Sequence, residues 1–234
     1  MARYVGRTSW VVAMALLFAS CDSGDIYPEH VEERNDNISV TAEFVLSGTA
    51  DSENYQLYFG AFEDDNNAPV VWTRVLKSGD KDTVRVSLDN IPPTATSTRL
   101  CLLNIGRRAI YDFFSYDISQ TDKSMEIPLT EVPLKLKYEK VQDIFVRNCT
   151  ACHGTETGGA GLLLGEGKSY QYLVNKSSKN SDKMRVEPFS IEKSFLFEVL
   201  TSDTLQLKHP HHTIMHSQDD MNLLKAWVER GAEE

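Results

Sequence analysis

From Ile38 to about Pro133 apolar and polar residues alternate. Ile38, Val40, Ala42, Phe44 and Leu46 form one such series, Tyr55, Leu57, Phe59 and Ala61 a second, and Val84, Val86 and Leu88 a third. A period of two puts every other side chain on one face of a strand, so each series predicts a strand with one buried face. Val70 to Leu76, Arg99 to Asn104, Ala109 to Tyr116 and Met125 to Leu129 are further strand candidates. Turn-forming residues separate them: Glu63 to Asn67, Ser78-Gly79-Asp80, Asn90 to Pro93, and Gly106 with Arg107. About seven short strands in about a hundred residues predict an immunoglobulin-like β-sandwich over residues 37–135.

Beyond Pro133 the period changes to that of a helix. Val141, Ile144 and Phe145 fall on one face of a segment from Tyr138 to Asn148. A glycine-rich loop, Gly154 to Gly167, comes next, then a short helix near Ser169 to Val174 and a polar loop from Lys176 to Lys183. Ser190 reads as the N-cap of a helix that buries Phe195, Leu196, Val199 and Leu200. Ser217 caps the last helix, Asp219 and Asp220 sit in its first turn, and Gly231 stops it. Its buried stripe is Leu223, Leu224, Trp227 and Val228.

The N-terminal residues have a different character. Arg3 and Arg7 precede an apolar run from Trp10 to Ala19 that ends at Cys21, the pattern of a secretory signal over residues 1–20. The run is about half as long as a bilayer-spanning helix. It resembles a bacterial lipoprotein signal, which implies that Cys21 carries lipid and ties the protein to a membrane of the cell envelope. Residues 21–36 are polar and acidic without periodicity and read as a tether. Acidic residues at this place resemble a surface-export signal of Bacteroidetes lipoproteins, implying the periplasm or cell surface as location.

Charge removes one class of partner. The chain carries a formal charge of −10, and losing Arg3 and Arg7 with the signal takes it to −12. No basic face is left for phosphates, so nucleic acid is not an expected partner. An acidic surface suits docking to a basic redox partner protein, or simply keeps an exported protein soluble.

The four cysteines carry the chemistry. Cys149-Thr150-Ala151-Cys152-His153 is C-x-x-C-H, the attachment signature of c-type haem: two thiols reach two porphyrin vinyl groups, and the imidazole binds the iron. Two other readings stand beside it. Zinc needs about four ligands, which His209, His211, His212 and His216 could complete. A thioredoxin-like dithiol belongs at the start of a helix that follows a strand, whereas this motif ends a helical segment. Cys101 lies in the apolar run Leu100 to Leu103 and reads as a small buried hydrophobe.

Three segments, Cys149 to Gly154, Val186 to Leu196 and Asp219 to Ala232, together resemble the haem domain of class I cytochromes c, in the group of exported planctomycete and Bacteroidetes proteins. The second is similar to a family stretch in which a glycine stands where this chain has Phe189. The resemblance covers residues 136–234 and implies an all-α cytochrome c fold. The expected fold class is therefore multidomain, an all-β immunoglobulin-like sandwich followed by an all-α domain.

By the same resemblance Cys149 and Cys152 form thioethers to one covalent haem c, His153 is the proximal iron ligand, and Phe145 packs on Trp227. Met215, sixty-two residues after His153, stands where the distal ligand is expected. His216 follows it instead of the usual prolines, and His216 or His212 is the alternative distal ligand. Leu162, Leu163 and Leu164 either cover a haem face or fill the core.

The expected function is single-electron transfer by a lipid-anchored monohaem cytochrome. No catalytic residues are assigned, because no motif presents an acid/base pair or a nucleophile. Two other classes stay open: a haem enzyme with peroxidase-like activity at an open sixth position, and a surface binding or assembly protein in which the sandwich does the work.

Overall fold

Seven strands and five α-helices follow one another in a computed structural model that describes residues 37–48, 52, 54–64, 66–154 and 159–234. The expected signal peptide, the tether and Cys21 lie outside the described residues. The strands are β1 (Ile38–Ser47), β2 (Tyr55–Phe62), β3 (Val71–Arg74), β4 (Lys81–Ile91), β5 (Ser97–Asn104), β6 (Ala109–Asp117) and β7 (Ser124–Pro133). They form two sheets, ordered β4-β1-β7 and β3-β2-β5-β6.

Alternation produces the layer between the sheets. In β1 the side chains of Ile38, Val40, Ala42, Phe44 and Leu46 are buried and the intervening residues are half-exposed. Phe44 meets Phe59 of β2 and Phe114 of β6 edge-on, with ring centres 5.6 and 5.3 Å apart. Leu57, Ala61, Leu88, Leu100 and Ile127 complete the same core. Such offset aromatic contacts add to the area they bury. At the sheet's edge β7 pairs with β1 in parallel, and the register slips between Ala42 and Phe44. Pro128 stands at that slip, where its missing N–H costs least.

This pairing is not that of an immunoglobulin domain. There the first strand neighbours the second, in the order A-B-E-D. Here β1 lies between β4 and β7, while β2 pairs with β3 and β5.

The helical half departs further from expectation. Its helices are α1 (Tyr138–Asn148), α2 (Thr150–His153), α3 (Ser169–Leu173), α4 (Phe195–Thr201) and α5 (Gln218–Glu229). They run 11, 4, 5, 7 and 12 residues. Between α3 and α4 the backbone is held by isolated bridges, Val174 with Val186, Ser177 with Met184, and Met184 with Ser194. Among the described residues there is no all-α cytochrome c domain. The expected fold class is overturned: the protein is mostly β, two sheets with short helices joined to them. The described residues form one compact unit.

The physical reason is a shared core. Val141, Ile144, Phe145, Leu224, Trp227 and Val228 of the helices pack in one cluster with Tyr55 of β2, Leu102 of β5 and Leu136 of the connection. The helices thus close one end of the sandwich. Polar contacts tie the same seam: Arg230 donates to the Leu134 carbonyl at 2.7 Å, and Ser52 and Asn54 donate to the Glu229 carboxylate at 3.0 and 2.6 Å. Trp227 lies against Tyr138, with ring centres 5.4 Å apart, and shares the cluster with Phe145.

Local signals place the helix ends. Ser217 caps α5 by accepting from the Asp220 N–H at 3.1 Å, and Gly231 ends it with φ of 101°. α4 begins later than the Ser190 cap predicts. Ser194 takes that place, its hydroxyl accepting from the Glu187 N–H at 2.8 Å and donating to the Ser190 carbonyl at 2.6 Å. The buried side chains of α4 are accordingly Phe195, Phe197 and Leu200.

Candidate functional site

Cys149 is the hinge of the site, the last cap of α1 and the first of α2. Its N–H donates to the Phe145 carbonyl at 2.8 Å, and its own carbonyl accepts from Cys152 and His153 at 3.2 and 3.0 Å. One turn of helix therefore carries all three motif residues, since positions three and four apart share a helix face. Gly154 follows, and a Cβ there would stand 2.5 Å from the Thr150 carbonyl oxygen. Only glycine lets the chain leave α2 in this direction.

The two thiols differ. Cys149 is half-buried, Cys152 is exposed, and both are free. Burial, reinforced by nearby Cys152, pushes the Cys149 thiol up to about 11. A reactive dithiol has the opposite property, a thiol lowered toward or below neutrality. Cys101 is buried in β5, and its thiol is raised by desolvation.

His153 is half-buried, with Nδ1 3.2 Å from the Leu162 carbonyl oxygen. With the proton on Nδ1, the lone pair is on Nε2, the arrangement of a metal-binding imidazole oriented by a backbone carbonyl. Burial is the main cause that lowers its pKa, against the Leu162 and Gly159 carbonyls, which favour the protonated ring. The ring is thus neutral at neutral pH, as a ligand must be. Gly159 makes room for it: a Cβ there would stand 3.2 Å from His153 Cε1. Leu163 and Leu164 are buried and Leu162 is partly buried against the helical core, so the apolar stretch of the loop fills the core on this side.

The distal candidates separate in space. Met215 is partly buried against the helical core. His216 is exposed and His212 is half-buried. The imidazole brought close to His153 is that of His211, with ring centres 6.2 Å apart and planes inclined by 37°. His211 opens a short 3-10 turn, His211–Thr213, that packs against α4. Its Nδ1 lies 2.8 Å from the His209 carbonyl oxygen. Sequence reading grouped His211 with its neighbours but had no signal to single it out, because the partner ring is fifty-eight residues away.

Among the described residues no group of three or more His, Cys, Asp or Glu side chains is placed to hold a bare metal ion. No helix of the described residues is long and apolar enough to cross a membrane. No protein-family model, no curated protein and no solved structure matches the chain.

Proposed function

We propose that this protein carries one haem c on Cys149, Cys152 and His153 and passes single electrons to and from a redox partner protein. The observation that carries the reading is the C-x-x-C-H turn with its imidazole oriented through Nδ1 by the Leu162 carbonyl, 3.2 Å away. The donor set suits the group. Two thiols on one turn of helix can form two thioethers, the neutral imidazole offers a lone pair, and glycine at 159 leaves room beside that ring. The raised Cys149 thiol speaks against dithiol exchange.

Haem c supplies an iron that cycles between ferric and ferrous states. The chain's own part is to hold that group and orient His153. The exposed Cys152 marks the side nearest solvent, where an electron can enter or leave. None of this requires a cytochrome c fold, because the site is built by a local turn braced against the end of a β-sandwich.

Export and anchoring belong to the same reading. Covalent haem attachment in bacteria takes place outside the cytoplasmic membrane, and the N-terminal sequence resembles that of an exported lipoprotein with Cys21 as the lipidated residue. The protein would then sit on a membrane of the cell envelope.

The test is an absorption spectrum, oxidised and reduced, of the full chain exported in a host that matures c-type cytochromes, followed by extraction with acidic acetone. Haem that resists extraction in the wild type and is lost in Cys149→Ala and Cys152→Ala supports the reading. A colourless wild-type protein overturns it.

A further inference from the structure

Resting on that reading, we infer that His211 is the second axial ligand of the iron, opposite His153, in place of Met215. An imidazole nitrogen binds a transition metal at about 2 Å and stands about 1 Å from its own ring centre, so rings on opposite sides of one ion have centres about 6 Å apart. The His153 and His211 rings are 6.2 Å apart. Both rings direct Nδ1 at a backbone carbonyl, Leu162 for His153 and His209 for His211, which leaves both lone pairs on Nε2. A metal-binding histidine is held in this way by its surroundings.

The backbone around His211 is built to hold that ring. Pro210 fixes the start of the turn, and its carbonyl accepts from both the Thr213 N–H at 3.2 Å and the Thr213 hydroxyl at 2.8 Å. The Ile214 N–H donates to the His211 carbonyl at 3.0 Å. The other histidines of the run lack this placement, with His209 and His216 exposed. Met215 turns toward the helical core, where a thioether serves as an adaptable apolar filler.

Two imidazoles give the iron a different character from imidazole plus thioether. A thioether ligand raises the reduction potential, so its replacement by His211 lowers it and keeps the iron six-coordinate and low-spin. Donors to this protein must then be stronger reductants than those that serve a Met-ligated cytochrome.

Ferric and ferrous absorption and electron paramagnetic resonance spectra of the full-length wild type, His211→Ala, His211→Met, His212→Ala and Met215→Ala test the assignment. The wild type should be low-spin without the weak far-red band of thioether ligation. His211→Ala should turn high-spin and regain the low-spin spectrum when free imidazole is added, a rescue that an unfolded variant would not show. His211→Met should lower the stability of the ferric form and shift the potential upward. His212→Ala and Met215→Ala should keep the wild-type spectrum. A far-red band that disappears in Met215→Ala overturns the inference, as does a His211→Ala spectrum identical to the wild type. In both of those cases covalent haem is still present and the functional reading stands, whereas a wild type without covalent haem removes both.

Discussion

Phe44 and Trp227 are both enclosed, 0% and 1% exposed, yet they stabilise two regions built on different terms. Phe44 sits between two sheets whose strands zip along their backbones, with β1 paired on both sides. Trp227 sits among helices of 4 to 12 residues, joined by segments whose backbone hydrogen bonds form isolated bridges and turns instead of a continuous ladder. Helices this short are marginal alone and depend on tertiary packing. The difference teaches that the region bearing the C-x-x-C-H turn borrows its rigidity, from the sandwich end on one side and, in the proposed function, from haem on the other.

The largest effects should come from the two aromatic anchors. Phe44→Ala should cost about 3–5 kcal/mol and lower the denaturant midpoint of the whole protein, because its ring is buried against Phe59 and Phe114 of the facing sheet. Trp227→Ala should cost a similar amount, about 3–5 kcal/mol. Here hydrogen exchange should rise first in α1 and α5 while β1 and β5 stay protected. Equal loss of protection in both regions would erase the distinction between them.

Next is the seam itself. Arg230→Ala removes the donor to the Leu134 carbonyl and the guanidinium that lies 5.7 Å over the Phe113 ring. A loss of about 1–3 kcal/mol is expected for a buried carbonyl left without its charged donor, measured by thermal unfolding. Ser217→Ala should cost about 1 kcal/mol by removing the α5 cap, with its effect confined to the helical region.

The smallest expected effect has the opposite sign. Phe189 has φ of 65°, and the residue is 74% exposed. A left-handed backbone costs a bulky residue about 1–2 kcal/mol, and glycine adopts it at no steric cost. Phe189→Gly should therefore raise the midpoint slightly, since the added freedom of glycine in the unfolded chain offsets part of the gain. A fall in stability would show that the Phe189 ring, which packs on Gly231, contributes more than its exposure suggests.

Much of the secondary structure was legible in the alternation. Each of the seven predicted strand segments overlaps an observed strand, though β3 covers only Val71–Arg74 of the segment Val70 to Leu76, and the Tyr138 to Asn148 helix has the bounds its apolar positions predict. Misreadings occurred where a side chain had two uses. Ser190 has the chemistry of a helix cap, but its carbonyl and Ser194 form a turn of their own, and α4 starts four residues later. In the same way Leu196 and Val199 read as core residues of the helix capped by Ser190, whereas both are half-buried and Phe197 is buried.

Sequence alone determined what depends on neighbours along the chain: which segments are strands, where α1 and α5 begin and end, and that two thiols and an imidazole share one helical turn. Those outcomes rest on periods of 2 and 3.6 and on local capping, which act over a few residues. Tertiary structure decided the rest. It placed β1 between β4 and β7, joined the helices to the sandwich in one core instead of a separate all-α domain, and brought the His211 ring to 6.2 Å from that of His153. Each of these is a contact between residues far apart in sequence, chosen by which faces can be buried together, and no local pattern records that choice.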